Sequence, residues 1–168
     1  MAKQNEAIAR IIILNGTSSS GKTRVAGELR KLLPDIFCYF ASDQLASTGF
    51  RAVRKTPDER HRFFDGFHKS IAAFAFAGND MIVEHIIEEK SWSVELRNLL
   101  GPFDVFWVGI HAPLGILQER EIQRGDRAIG EAEFHLRTHN FCHYDFEVQN
   151  TAAPMDTAHA INQAWLAR

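Results

Sequence analysis

The sequence predicts an α/β protein, a parallel sheet of five strands with helices covering both faces. Three observations carry this. Strand-like and helix-like stretches alternate from one end of the chain to the other, as in consecutive βαβ units. The strand-like stretches are mostly continuous apolar runs, the mark of strands buried on both faces. A glycine-rich turn joins the strongest of these runs directly to an amphipathic helix.

Each element has its own signal. Ala9-Arg10-Ile11-Ile12-Ile13-Leu14-Asn15 is a β-branched run ended by Gly16, which predicts the first strand. Thr23 to Leu33 has apolar residues at helical spacing and stops at Pro34. Phe37 to Ala41 is a short second strand. Pro57 to Ala77 is a long helix that presents Phe63, Phe64, Phe67, Ile71 and Phe74 on one broad face, with Gly78-Asn79 closing it. Met81-Ile82-Val83 is the third strand. Ser93 to Leu100 is a short helix stopped by Gly101-Pro102. Asp104 to Ile110 is the fourth strand, Pro113 to Arg124 a helix opened by proline, and Phe146 to Val148 the fifth strand. A last helix runs from near Asp156 to Leu166. No repeat, low-complexity tract or linker divides the chain, so residues 1–168 are expected to form a single domain. The stretch from Arg124 to Asp145 is rich in Arg, Gly and His and least like regular α/β; it is a candidate lid at about 124–145.

Composition narrows the function. In 168 residues, 19 Lys plus Arg stand against 21 Asp plus Glu, a formal net charge of −2, which removes the electrostatic footprint of a dedicated nucleic-acid binder. A charged substrate must then be held by a local site. The two cysteines make no disulfide framework, and the apolar run Ile11–Leu14 is too short for a signal sequence or membrane span; a reducing, cytoplasmic setting is expected. The chain has 13 Phe but only 2 Tyr, a surplus in need of a reason.

Gly16-Thr17-Ser18-Ser19-Ser20-Gly21-Lys22-Thr23 is an unbroken G-x-x-x-x-G-K-T. Its glycines let the backbone curl so that successive N–H groups face phosphate oxygens. Lys22 reaches the β- and γ-phosphates, the Thr23 hydroxyl suits Mg²⁺, and the following helix adds the positive end of its dipole. The strand before it and the helix after it are the context this motif requires, so ATP and Mg²⁺ are the expected cofactors.

A phosphoryl transfer to a hydroxyl needs a group that accepts the hydroxyl's proton. Asp43, just past the second strand, lies at the sheet edge that also carries the phosphate loop; it serves as that base or, with Ser42, caps a short helix. Glu84 ends the third strand and either holds Mg²⁺ or is a solvated carboxylate, and His85 beside it reads as a polar neighbour. Arg120 and Arg124 share a helix face at i, i+4 spacing, with Arg127 following; they clamp the transferring group or pair with Glu119 and Glu121 at a solvated helix end. His135, His139 and His143 have spacing that invites zinc, but without a completing cluster they read as lid histidines on a wet surface. Phe50, Phe63, Phe64, Phe67 and Trp92 follow Asp43 and Glu84 in the chain. They either wall the acceptor side of the cleft or pack the core between helix and sheet.

The strand entering the phosphate loop, Ser42-Asp43-Gln44-Leu45, Phe106-Trp107-Val108-Gly109-Ile110, the run from Gln118 through Arg124-Gly125-Asp126-Arg127 to Gly130, His139 and Tyr144-Asp145-Phe146-Glu147-Val148 together resemble the chloramphenicol phosphotransferase family, in order from Arg10 to about Val148. The resemblance implies a three-layer P-loop kinase fold and ATP-dependent phosphorylation of the primary 3-hydroxyl of chloramphenicol, an inactivation of the antibiotic. It places the general base on Asp43 and phosphate-binding arginines in the Arg124–Arg127 region. Together with the readings of the phosphate loop and of the third strand's end, the expected catalytic set is Lys22, Asp43 and Arg127, with Thr23 and Glu84 toward the metal. The chain departs from the family's pattern at Glu84-His85, where the family carries an Asp-Asp pair. It departs again in a shorter stretch between Asp43 and the long helix, which bears Arg51, Arg54 and Lys55. The expected partner is a small hydroxyl-bearing molecule, with the chain a monomer or small homo-oligomer and no nucleic acid or membrane involved. Two other readings stand beside this one: a kinase for another metabolite or nucleotide-sugar, favoured by the basic run Arg51–Lys55, and a slow ATPase that acts as a switch through a partner.

Overall fold

The run Arg10–Asn15 forms β1, the central strand of a five-stranded sheet, in the computed structural model, which describes residues 8–51, 56–125 and 129–168. The other strands are β2 (Cys38–Ala41), β3 (Met81–His85), β4 (Asp104–His111) and β5 (Phe146–Gln149). Their order is β2-β3-β1-β4-β5, and every neighbouring pair is parallel. After β1 the chain turns toward β2, whereas after its neighbour β4 it turns toward β5. A crevice therefore opens at the carboxyl ends of the two strands, where ligands of open α/β sheets collect.

The helices are α1 (Lys22–Leu32), α2 (Ser42–Leu45), α3 (Pro57–Phe76), α4 (Lys90–Leu100), α5 (Leu114–Arg124), α6 (Glu131–His135) and α7 (Pro154–Leu166). Side chains of a strand alternate between faces, and β1 shows the consequence. Ile11 and Ile13 join Met81, Val83 and Trp107 against α3 and α4, packing on Phe64, Phe67, Ile71 and Leu96. Ile12 and Leu14 join Ile82, Phe106 and Val108 against α1 and α7, packing on Val25, Leu29, Ile161 and Trp165. Two cores on one sheet make the three layers.

β3 runs two residues beyond the sequence expectation, because pairing with β1 continues through Leu14↔Glu84 and Asn15↔His85. Polar residues that read as a strand end are thus inside the sheet, both buried. The long helix α3 begins at a capping box: the Thr56 hydroxyl accepts from the Glu59 amide at 3.2 Å, and the Glu59 carboxylate accepts from the Thr56 amide at 3.1 Å. Its broad aromatic face is narrower than its periodicity suggests. Phe64, Phe67 and Ile71 are buried, but Phe74 is 48% exposed, since it overhangs the sheet edge against Phe40 of β2.

The stretch beyond α5 is tied to the sheet in its described part. Ala132 and Thr138 are fully buried. The Glu121 carboxylate of α5 accepts from the Gly130 and Ala132 amides at 2.7 and 2.8 Å, which holds the start of α6 and keeps that carboxyl below its usual range. The Thr138 hydroxyl donates to the Ile87 carbonyl at 2.7 Å, and the Asn15 side chain ties both segments: its Oδ1 accepts from the Ile87 amide at 3.0 Å and its Nδ2 donates to the Tyr144 hydroxyl at 2.7 Å. Two of the three histidines expected on a wet surface are corrected accordingly, His135 being buried and the half-buried His139 ring stacking on His111 at 3.7 Å, whereas His143 is exposed as expected. Among the described residues no helix is long and apolar enough to cross a membrane.

Candidate active site

β1 delivers the chain to Gly16, where any Cβ would be driven into the Ile110 carbonyl oxygen of β4. The loop then curls through positive φ at Ser19 (61°) and Gly21 (89°), the latter a left-handed position that glycine adopts without strain. Such turns gather backbone amides into an anion-binding concavity. Lys22 opens α1, and its buried ammonium lies back across the loop, donating to the carbonyls of Gly16 and Thr17 at 2.9 Å each. The hydroxyl oxygens of Ser18, Ser19 and Ser20 are buried and find no hydrogen-bond partner among the described residues. Buried hydroxyls of this kind are costly unless something hydrogen-bonds them, so this loop fits a polar, phosphate-bearing ligand.

The Thr23 hydroxyl donates to Glu84 Oε1 at 2.8 Å, and the Tyr39 hydroxyl donates to Glu84 Oε2. Register explains the meeting: β3 pairs with β1 up to the mouth of the loop and carries Glu84 there. Burial and the neighbouring carboxylate push the Tyr39 phenol well above its usual range, so it stays a donor. Thr23 and Glu84 together offer hard oxygen donors of the type Mg²⁺ takes alongside water and phosphate oxygens.

Asp43 is the second residue of α2, exposed at the edge of the same opening. The capping alternative fails for α2, whose N-cap is Ala41 and which has no side-chain cap. Arg120 crosses from α5 to the outer side of the loop, donating to the Asn150 carbonyl at 2.9 Å and to that of Ser20 at 3.4 Å; burial lowers its guanidinium pKa. Arg124, one turn on, lines the same space. The reading of Arg120 as a partner of Glu119 and Glu121 is therefore set aside, Glu121 being committed to α6. Arg127, Arg54 and Lys55 lie outside the described residues.

These groups border one cavity of about 930 Å³ that takes in Ser18, Lys22, Thr23, Asp43, Glu84 and Arg124. The aromatic wall does not. Phe64, Phe67 and Trp92 are buried in the core, Phe63 packs against it, and Phe50 is 72% exposed, so none of the five lines the cavity. Arginines lie over some of these rings instead, Arg51 on Phe63 at 5.5 Å and Arg60 on Trp92 at 4.9 Å.

Sequence reasoning missed Tyr39, Asn150 and His68. Asn150 donates from Nδ2 to the Ser20 carbonyl at 2.7 Å and accepts from the Thr157 hydroxyl at 2.8 Å, clamping the loop from behind. Its only signal was a polar residue directly after the fifth strand. His68 looked like any polar residue of a long helix, yet is fully buried.

The family model of chloramphenicol phosphotransferase-like proteins matches residues 9–166. A protein found in two strains of Mycobacterium tuberculosis, provisionally named an O-phosphotransferase, is 26% identical over 174 residues, covering 87% of this chain and 77% of the relative. The APS kinase of Mycobacterium tuberculosis, solved with AMPPNP and APS, superposes with a TM-score of 0.74 at 17% identity, over 94% of this chain and 98% of that one. The tunicamycin resistance protein of Deinococcus radiodurans gives 0.69 at 19% identity, over 92% and 94%. The fold is that of P-loop kinases.

Proposed function

The chain belongs to the chloramphenicol phosphotransferase-like family and is a phosphotransferase of the kinase type, and from that premise we propose that it moves the γ-phosphate of ATP, with Mg²⁺, to the hydroxyl of a small molecule of chloramphenicol-like kind. The observation that carries this reading is the convergence of Lys22, the Thr23–Glu84 pair and Asp43 on one cavity. Lys22 and the amides of Gly16–Thr23 hold the phosphates, turning from the loop's own carbonyls to the ligand. Thr23 and Glu84 are the residues that would hold Mg²⁺, which when bound neutralises charge on the phosphates. Asp43 accepts the acceptor's proton as the hydroxyl attacks, and Arg120, Arg124 and Arg127 offset the charge that develops on the transferring group. The free thiols of Cys38 and Cys142 suit a reducing, cytoplasmic setting.

The acceptor itself is open to a second reading, favoured by one observation: the cavity lacks the aromatic wall that an apolar acceptor would use. A more polar metabolite or nucleotide-sugar fits such a lining better. The test is ATP turnover with and without chloramphenicol, with mass detection of phosphorylated product, repeated over polar hydroxyl acceptors. Product with chloramphenicol supports the first reading, product only with a polar acceptor supports the second, and ATP loss that no acceptor stimulates overturns both in favour of a slow ATPase.

A further inference from the structure

α2 is four residues long, has no side-chain cap, and buries only Ser42. Ser42 therefore ties the start of α2, and with it the backbone that carries Asp43, into the core. The Ser42 hydroxyl lies 3.0 Å from His85 Nδ1; His85 Nε2 lies 3.1 Å from His68 Nε2; and His68 Nδ1 lies 3.2 Å from the Glu95 carboxylate of α4. His68 is 0% and His85 2% exposed, enclosed by the rings of Phe64, Phe67 and Trp92, with His85 stacked on Trp92 at 5.6 Å. An apolar cage of this kind admits two imidazoles only as neutral rings that satisfy each other.

Neutrality leaves one consistent assignment of protons. The carboxylate can only accept, so His68 carries its proton on Nδ1 and presents a lone pair at Nε2. His85 must then donate from Nε2, which leaves its Nδ1 to accept the Ser42 proton. The chain runs in one direction, Ser42 to His85 to His68 to Glu95, with every link a donor–acceptor pair. We propose that these four residues form a single buried relay that positions Asp43, His85 and His68 acting as positioning residues for the base. The proposal rests on the kinase reading above. It also gives a use to His85, where the chain departs from the family's acidic pair, because only an imidazole there bridges α2 to α3.

The charged groups facing the pair are Glu95 of α4 and Asp65 of α3 around His68, and Lys22 of α1 and Arg60 of α3 around His85. Burial lowers the pKa of both rings, and the cations beside His85 add to the effect there.

Ser42 and Glu95 are separated by two imidazole rings, so independent roles would give additive effects. Steady-state kinetics of Ser42→Ala, Glu95→Ala and the double variant should show kcat lowered about tenfold or more in each single, with the KM for ATP unchanged and the double no slower than the worse single. Glu95 is partly exposed, so its removal spares the fold. Nitrogen-15 spectra of histidine-labelled protein should show His68 protonated on Nδ1 and His85 on Nε2, a bias lost from both rings in Glu95→Ala. Additive losses, an unchanged kcat, or His85 protonated on Nδ1 would overturn the relay. Failure of the kinase reading looks different: the wild-type chain transfers no phosphate while the ring tautomers stay as assigned, and the relay's catalytic role falls with it.

Discussion

Lys22, Asp43 and Gly21 border one cavity, and each has a distinct way to fail. Asp43 is exposed, so its truncation opens no cavity in the core. Asp43→Ala should therefore lower turnover by about 10²–10⁴-fold while ATP affinity holds, as read by kcat against nucleotide titration; full turnover removes the base assignment. Lys22→Ala frees the Gly16 and Thr17 carbonyls and should weaken nucleotide binding and transfer together. Gly21→Ala meets two obstacles, a φ of 89° and the Asn150 amide behind it. A loss of at least ~1 kcal/mol in chemical denaturation is expected, along with nucleotide affinity, since left-handed backbone alone costs about that for alanine. The loop residues were legible because the motif is contiguous and its spacing is the chemistry. Asp43 was legible only as one of two possibilities, and the absence of a side-chain cap on α2 removes the capping one.

At the scale of elements, periodicity located every strand and each long helix, and it erred at ends. β3 is longer than its apolar run because ladder pairing with β1, invisible to local pattern, carries Glu84 and His85 into the sheet. Of the expected aromatic wall, Phe63, Phe64, Phe67 and Trp92 belong to the core or pack against it and Phe50 is exposed, since which face of α3 meets the sheet is set by packing. Two variants test element-level anchors. Thr56→Ala removes half the capping box of α3 and should cost about 1 kcal/mol in urea denaturation. Asn15→Ala strands the Ile87 amide and takes one of its two partners from the Tyr144 hydroxyl, which keeps His139, at the junction of β1 with the stretch around Thr138. It should cost about 2–4 kcal/mol and loosen that stretch, read by amide exchange at residues 136–144.

Across the whole molecule, folding shifts four histidines in one direction. Burial lowers the pKa of His68, His85 and His135, and that of His139 falls to about 4. The unfolded chain binds these protons near pH 6.5. Below that value the unfolded state holds more protons than the folded one, so stability is complete above about pH 6.5 and declines as pH falls toward 4. The urea midpoint should drop steadily from about pH 7 to about pH 5, and a flat profile there would show the histidines exposed to water. By itself the sequence determined the fold class, the order of elements and the phosphate loop, because each rests on local signals: period, punctuation and a contiguous motif. Only the tertiary structure decided what stands beside that loop. Glu84 reaches Thr23, Asn150 clamps Ser20, and His68 meets His85 through strand register and helix packing, which join residues from 17 to 130 positions apart. Contacts over such distances leave no periodic trace in the chain that makes them.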